Sequence, residues 1–287
     1  MTGATQALAM LLFSAATLPP VGSAPAVANA DRGGASCAGL PDWSALKAAL
    51  EQAVAAETSG LDNQMWATIV DRDGIVCAVA FSGADRGAQW PGSRVISAQK
   101  ANTANAFSLD GSSRGGSPPS GQANGLALST ANLYTATQPG QSLYGLQHSN
   151  PVDEDAAYRG PASLHGTKND PMVGRRIGGV NVFGGGLGLY TLAEGRHVIV
   201  GGLGVSGDTS CADHNIAYRV RHALDLDRLR ATESLAAVPG PASLFAGDAA
   251  HPDNIIFDIG PGGSASGFGH ATCLNTAGSN ALPAVQP

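Results

Sequence analysis

The chain has 287 residues, of which only 13% are charged, about half the share of an ordinary soluble domain. This length accommodates one large domain or two small ones. The net charge of −6 excludes the strongly basic surface that a nucleic-acid partner would need. With 43% hydrophobic residues, the chain is not disordered as a whole. The scarcity of charge therefore predicts either a surface that is partly buried between subunits or a loop-rich fold held by cross-links.

Residues 1–30 predict a secretory signal peptide. They contain no charged side chain, and residues 7–18 form an apolar run that is too short to span a bilayer comfortably. Pro19 and Pro20 interrupt this run, and residues 28–30 (Ala-Asn-Ala) match an A-x-A cleavage site. No Lys or Arg precedes the apolar run, which leaves an unstructured cytosolic leader as the alternative. No other stretch is long and apolar enough to cross a membrane, so we expect a periplasmic or secreted protein without a membrane span.

The four cysteines agree with export. Cys37, Cys77, Cys211 and Cys273 are even in number and form no C-x-x-C pair. In an oxidising compartment they predict two disulfides, for which the sequence allows three pairings. Cys211 and His214 also form a C-x-x-H spacing that suits a metal site, but a structural disulfide at Cys211 is the simpler interpretation.

Hydrophobic periodicity, capping residues and turn residues predict helices that alternate with antiparallel strand pairs. In the first half these are a helix that begins at Trp43 after Asp42 and ends before Gly60, strands at 65–70 and 75–81 around Asp73-Gly74, an alanine-rich helix at 95–107, a Gly/Ser/Pro-rich loop at 109–125, and a short helix at 126–134. In the second half they are an irregular stretch at 138–176, strands at 177–183 and 187–192 around three glycines, a strand at 197–205, a helix at 209–224, and an isolated strand at 254–259. Because the strands come in pairs, we expect an α+β fold with helices packed on an antiparallel sheet. Residues 31–238 are predicted to form this domain, with its core in 43–224, and residues 239–287 a Cys-containing, irregular C-terminal extension packed on it.

Residues 202–207 (GLGVSG) fit the G-x-G-x-x-G pattern of dinucleotide-binding sites, after a strand and before a helix. Such a site requires a second parallel strand after the helix, and the polar sequence at 226–236 does not supply one. We therefore expect no NAD site here. The free N–H groups at the start of the helix remain suited to an anion such as a carboxylate.

Four segments carry a resemblance to a known family. They are residues 71–74 (DRDG) in the first hairpin, 96–104 (ISAQKANTA) in the second helix, 201–207 (GGLGVSG) at the end of the last strand of the pair, and Asp213 in the last helix. In this order, and over about residues 43–224, they resemble the GlcG/HbpS family of haem-binding proteins, whose haem-degrading domain was formerly called DUF336. The chain departs from the family in a longer loop between residues 109 and 176 and in the extension after residue 224.

The resemblance implies a profilin-like fold, in which helices flank an antiparallel sheet, and assembly into homo-oligomers. It also implies haem (heme) as the cofactor or ligand and, for some members, haem degradation or iron sensing. Other relatives are fused to corrinoid enzymes or lie in glycolate operons, so the resemblance alone does not fix the ligand.

Haem binding needs an axial ligand, an apolar slot and cations for the propionates. His214 in the last helix is the candidate metal ligand, and helix spacing places Tyr218 and Arg221 on its side as a stacking ring and a propionate partner. A solvated helix face is the alternative. Lys100 and Thr103 lie one turn apart and suit an anion, unless Lys100 extends from a packed stripe to solvent and Thr103 bonds to its own helix. The full set of haem- or ligand-binding candidates is Lys100, Thr103, His214, Tyr218, Arg221, Gly185 and Ser206. Solvated loop positions are the simpler interpretation for His148, His165, the pair Arg175-Arg176 and the acidic residues 153–155.

These patterns predict an exported protein that binds haem or a related tetrapyrrole and serves haem or iron handling or sensing. No G-x-S-x-G elbow, H-E-x-x-H motif or paired C-x-x-C pattern designates a catalytic site. Two alternatives stay open. One is an enzyme that degrades haem or acts on a small carboxylate ligand, and the other is a structural oligomeric protein with a vestigial pocket.

Overall fold

The computed structural model describes residues 37–110, 126–229, 250–276 and 281–287. The predicted signal peptide and residues 111–125 of the predicted loop lie outside these ranges. The first helix, α1 (Trp43–Ala56), begins where the sequence predicts, because the Asp42 carboxylate accepts a hydrogen bond from the backbone N–H of Ala45 and caps it. Its buried face, which includes Leu46 and Leu50, turns toward the sheet.

Four antiparallel strands form the main sheet in the order β2-β1-β4-β3. They are β1 (Trp66–Asp71), β2 (Val76–Phe81), β3 (Gly186–Ala193) and β4 (Arg196–Ser206). The hairpin of β1 and β2 closes through Gly74, whose φ of +76° suits glycine. The long strand β4 pairs with β1 on one side and β3 on the other, and its last residue, Ser206, leads to the start of the last helix.

Helices cover both faces of this sheet. On one face, α2 (Ser93–Phe107) packs Val95, Ala98 and Ala101 against apolar side chains of β1 and β2. On the other face, α1 and α4 (Ser210–Ala223) share a larger apolar cluster with all four strands. The structure therefore confirms the predicted α+β, profilin-like architecture of an antiparallel sheet flanked by helices.

The glycines of the G-x-G-x-x-G sequence allow α2 to approach β4 closely. A Cβ atom on Gly204 would lie 1.8 Å from the carbonyl oxygen of Ser97, and a Cβ on Gly202 would lie 2.2 Å from that of Ala101. Both carbonyls belong to α2, so any larger residue at either glycine would push the helix off the sheet. These two glycines therefore have a packing role in the fold.

The predicted strand at residues 177–183 is wrong. Gly178 and Gly179 have φ values of +67° and +76°, which interrupt an extended chain, and the described backbone pairs only through an isolated bridge at Gly178. The segment contacts α2 instead, because Asn102 Nδ2 donates to the carbonyl of Gly179 and the N–H of Asn181 donates to Thr103. This segment thus forms an irregular wall beside α2 rather than a fifth strand of the sheet.

Two further predicted elements are shorter than expected. The predicted helix at 126–134 is a 3₁₀ turn at Thr130–Leu133, and the predicted strand at 254–259 contributes only β5 (Ile259–Gly260), which pairs with β6 (Gly263–Ser264). The irregular stretch at 138–176 contains one short α-helix, α3 (Glu154–Ala157), and a 3₁₀ turn at Ala162–Leu164. None of these differences alters the main sheet.

Both predicted disulfides are present, and the structure selects one of the three pairings. Cys37 is bonded to Cys77 of β2, and Cys211 in the first turn of α4 is bonded to Cys273. The second bond rules out Cys211 as a metal ligand in a C-x-x-H site. Within the described ranges, no helix combines the length and the apolar character that crossing a bilayer requires.

Candidate functional site

The candidate site lies along α4, which begins directly after β4. Thr209 caps the helix by accepting a hydrogen bond from the backbone N–H of Ala212. His214, Tyr218 and Arg221 follow each other along one side of the helix, as their spacing predicts. All three are buried, and the His214 and Arg221 side chains are 0% exposed. The alternative of a solvated helix face is therefore wrong.

His214 is a buried imidazole without hydrogen bonds to the described residues. Both ring nitrogens are enclosed, and neither has a partner of acceptable geometry, although the Asn254 side chain approaches the ring. The ring stacks at a tilt on Tyr218, with 5.2 Å between the ring centroids. Burial lowers the pKa of His214 to about 3, so the ring is neutral at physiological pH and one of its two nitrogens carries a free lone pair. A buried imidazole in this state suits a metal ligand, because only the neutral ring offers a lone pair.

Arg221 and Tyr218 converge on one carboxylate. The Arg221 guanidinium donates two hydrogen bonds to Asp253, at 2.6 Å from Nη1 and 2.8 Å from Nη2, and the Tyr218 hydroxyl donates to the same carboxylate. Arg221 also lies over the Tyr218 ring, 4.7 Å from its centroid. Burial alone would raise the pKa of Asp253, but the Arg221 charge and these hydrogen bonds hold it below its ordinary value. Arg221, the predicted propionate partner, thus binds a carboxylate together with Tyr218, and in this structure that carboxylate belongs to the same chain.

Lys100 is also paired with a carboxylate of the chain. Its ammonium lies 2.6 Å from Asp213 Oδ2, donates to the carbonyl of Val205, and stands 4.5 Å from the centre of the Phe183 ring. Lys100 is fully buried, so it does not extend to solvent. Burial lowers the pKa of Lys100 and raises the pKa of Asp213 to about 6, so burial opposes the ion pair that proximity favours.

Asp213 occupies the helix start that the sequence offered to an external anion. Its Oδ1 accepts hydrogen bonds from the backbone N–H groups of Gly207 and Asp208. The expectation of an anion at this helix start is therefore met by a side chain of the chain itself. The sequence matched Asp213 to the family but did not reveal this role, since the carboxylate reaches back to residues that precede the helix.

The three remaining candidates surround the same region. Thr103 donates to the carbonyl of Gln99, four residues earlier in α2, as its alternative interpretation states. A Cβ on Gly185, whose φ is +108°, would lie 3.1 Å from Lys100 Nζ and 3.0 Å from the Asp213 Cβ. Ser206 is buried in the last position of β4, opposite Trp66. Lys100, Gly185 and Ser206 thus form the wall behind the start of α4.

The weaker candidates lie away from this region or have local roles. His148 is exposed, Asp153 caps α3, and Arg176 donates to the carbonyl of Asp73. His165 is partly buried, and burial lowers its pKa. The Nε2 atom of His165 is buried without a hydrogen-bond partner among the described residues, so a solvated loop position is wrong for this residue, whereas His148, Asp153 and Arg176 keep their simpler interpretations.

The C-terminal segment (residues 250–276) supplies contacts that sequence reasoning missed. Asp253 reaches Arg221, and the Ser210 hydroxyl lies 2.7 Å from Nε2 of His270. Cys273 is bonded to α4, and the backbone N–H of Cys211 also points at its sulfur. The segment has almost no regular secondary structure, so no hydrophobic periodicity predicts these contacts. Only the presence of an aspartate, a histidine and a cysteine indicated that it could reach the site.

The residue types at this site suit haem, but the buried arrangement in this structure leaves no space for it. His214 offers an axial nitrogen without a competing hydrogen bond, and Arg221 with Tyr218 offers a carboxylate-binding pair. However, the three side chains are buried, and Asp253 already occupies the carboxylate position. A tetrapyrrole can reach His214 only if the covering residues move.

One protein family matches most of the chain. A family model described as "Haem degrading protein HbpS-like" matches residues 42–221, well over half of the chain. Among solved structures, the PduOC:heme complex is 23% identical, with a TM-score of 0.38, and the match covers 63% of this chain and 89% of the other. The Klebsiella pneumoniae protein ORFY, of the DUF336 family, is 21% identical with a TM-score of 0.38, and the match covers 64% and 90% of the two chains. No curated protein matches the sequence.

Proposed function

The chain belongs to the HbpS-like family of haem degrading proteins, and from this membership and the contacts of α4 we propose that it binds haem or a related tetrapyrrole at His214. The observation that carries the proposal is the buried imidazole whose two nitrogens have no hydrogen-bond partner among the described residues. Leaving such groups unpaired costs roughly 1–3 kcal/mol. A metal ligand is the role that explains why this cost is retained.

The other predicted residues have two roles in this proposal. Arg221 and Tyr218 would bind a propionate, because they already hold a carboxylate in bidentate geometry. Lys100 and its partner Asp213 would position the start of α4, with Gly185 and Ser206 in the wall behind it, and Thr103 would hold the irregular segment at Asn181 beside α2. Bound haem would supply the iron-centred redox and oxygen chemistry, whereas these residues bind and orient it.

We further propose that the mature protein is periplasmic or secreted, and that it serves haem or iron handling. Two disulfides support export, since such bonds persist in oxidising compartments. The sequence at residues 1–30 supports it as well, but that segment lies outside the described residues. N-terminal sequencing of the exported protein would test the cleavage site, which we place before Asp31.

A homo-oligomer is part of the same proposal. Large hydrophobic side chains such as Trp90, Tyr144 and Tyr158 are more than half exposed in the single chain, and charged residues are scarce. Burial of such a surface between subunits explains both observations. Sedimentation at micromolar concentration should give a mass above that of one chain, and a monomer would contradict this explanation.

Titration with haemin tests the proposed function. We expect the Soret band to shift and to saturate at one haemin per chain, in the oxidised protein or after reduction of its disulfides. A spectrum identical to that of free haemin in both forms would contradict haem binding. If haemin only adsorbed to the protein surface, the change in the spectrum would not saturate at one haemin per chain.

Degradation of haem is the second candidate, and the family description favours it. The test is turnover of bound haem with a reductant and oxygen. Loss of the Soret band with release of iron, at a rate above that of free haemin, would support an enzyme. Binding without loss would leave the binding function and exclude catalysis under these conditions.

A further inference from the structure

We propose that the C-terminal segment (residues 250–276) closes the His214 site from within the chain, with Asp253 in the position of a ligand carboxylate and the Cys211–Cys273 disulfide holding the segment in place. The inference takes from the proposed function only the identity of the incoming ligand. Its own content is that the site is self-occupied, and that a carboxylate ligand has to displace Asp253.

The Asp253 carboxylate makes the contacts that an external carboxylate would make. It accepts hydrogen bonds from both terminal nitrogens of Arg221 and from the Tyr218 hydroxyl, and Asp253 is 1% exposed. Arg221 also donates to the carbonyl of Gly188 in β3 and lies over the Tyr218 ring, so two contacts outside the segment act on the guanidinium as well. These two contacts do not depend on Asp253.

Contacts on both sides of Asp253 fix the segment over α4. On one side, Asn132 Nδ2 donates to the carbonyl of Asn254, and the His251 ring lies 6.1 Å from the Tyr218 ring. On the other side, Thr135 donates to the carbonyl of Gly269. These are single hydrogen bonds and ring contacts, which a segment can exchange for solvent without unfolding the sheet.

His270 connects the segment to the backbone beside His214. Its Nδ1 lies 2.6 Å from the carbonyl of Ala271, which assigns the proton to Nδ1 and leaves Nε2 to accept from the Ser210 hydroxyl. Ser210 in turn accepts the N–H of Gly184, and a Cβ on Gly184 would lie 2.9 Å from the Cβ of His214. Closure by the segment therefore also fixes the glycine backbone that packs against the candidate ligand.

The Cys211–Cys273 disulfide stabilises the closed position of the segment. It joins Cys273 to the second residue of α4, three residues before His214. Because the bond keeps Asp253 close to Arg221 at a high effective concentration, an external carboxylate competes poorly. The apparent affinity for a ligand equals the affinity of the open state multiplied by the fraction of molecules that are open.

A first experiment tests the carboxylate position without haem. In Asp253→Ala, propionate should take the vacant position and raise the melting temperature by about 2 °C or more, while chloride at equal ionic strength should not. The unsubstituted protein should show no propionate-specific rise. If propionate and chloride act alike on the variant, Arg221 and Tyr218 do not form a carboxylate site. Asp253→Ser, whose shorter side chain also leaves the position vacant, provides the same comparison if the alanine variant does not fold.

A second experiment tests closure. In Cys211→Ser/Cys273→Ser, His214 should react with diethylpyrocarbonate about tenfold faster or more, measured on its peptide by mass spectrometry, and haemin should bind about tenfold tighter or more. Cys37→Ser/Cys77→Ser is the matched control, since it removes the disulfide that does not hold the segment, and neither quantity should change. Equal protection of His214 in both variants would overturn the closure.

The outcomes separate this inference from the proposed function. Faster modification of His214 with unchanged haemin affinity would overturn the inference that the segment controls ligand access. Faster modification with no haemin binding by any form would support closure by the segment and contradict haem as the ligand. Tighter haemin binding by the 211/273 variant alone supports both.

Discussion

Lys100 of α2 and Asp213 of α4 form a buried ion pair, with 2.6 Å between Nζ and Oδ2, although 113 residues separate them in the sequence. Because Asp213 also accepts the backbone N–H groups of Gly207 and Asp208, this one carboxylate links α2, the end of β4 and the start of α4. The position of His214, the next residue, depends on these contacts.

Lys100→Met is expected to lower the free energy of unfolding by about 3–5 kcal/mol, because it leaves the Asp213 carboxylate buried without its partner. Urea denaturation at pH 7 measures this change. Arg228→Met is the control, since Arg228 pairs with the exposed Asp225 and its loss should cost about 1 kcal/mol or less. Equal effects of the two substitutions would show that the buried pair does not hold α4.

His214→Leu is expected to stabilise the ligand-free protein by about 1 kcal/mol. The substitution removes two buried nitrogens that have no partner and puts an apolar side chain of similar size in their place. The measurement is the free energy of unfolding in urea, with His148→Leu at an exposed position as the control. A large loss of stability in His214→Leu would mean that the imidazole is held by contacts, and its interpretation as a free ligand would fail.

The same variant gives a pH dependence with a definite sign. The folded pKa of His214 is about 3, against an ordinary value of 6.5, so between these values the unfolded chain binds a proton that the folded chain does not. The ring's contribution to stability is therefore full above pH 6.5 and is lost as the pH falls, at up to about 1.4 kcal/mol per pH unit. The charged and titratable groups that act on the ring are Asp253, Arg221 and His270.

Comparing the unsubstituted protein with His214→Leu isolates the contribution of His214 to the pH dependence of stability. The raised pKa of Asp213 acts in the opposite direction, since the folded state gains protons between about pH 6 and its ordinary 3.8, but both proteins share it. The stability advantage of His214→Leu should thus widen by about 2 kcal/mol between pH 7 and pH 5. A constant difference over this range would contradict the depressed pKa.

Local sequence signals predicted most of the fold because they act over a few residues. The cap at Asp42, the turn at Gly74 and the spacing of apolar residues from Trp43 each specify an element without knowledge of the rest of the chain. Residues 177–183 were predicted incorrectly for the converse reason. Their apolar composition suggests a strand, whereas Gly178 and Gly179 have positive φ and the segment packs against α2, which is distant in the sequence.

The candidate site was predictable in part. Helix spacing placed His214, Tyr218 and Arg221 together, since residues three and four apart share a helix face. The partner carboxylate, Asp253, lies 32 residues beyond Arg221 in a segment without periodicity, so no local pattern connects them. The pairing of Cys211 with Cys273 was likewise one of three that the sequence allowed, and it is the pairing that brings Asp253 to the site.

The most direct test of the account is the absorption spectrum of the haemin complex of His214→Ala, with His148→Ala as the matched control. We expect the His214 variant to lose the Soret shift that marks imidazole ligation of the iron, while the His148 variant keeps the spectrum of the unsubstituted protein. Circular dichroism of the ligand-free variants would confirm that both are folded. If His214→Ala bound haemin with an unchanged spectrum, His214 would not be the ligand, and the account of this site would be wrong.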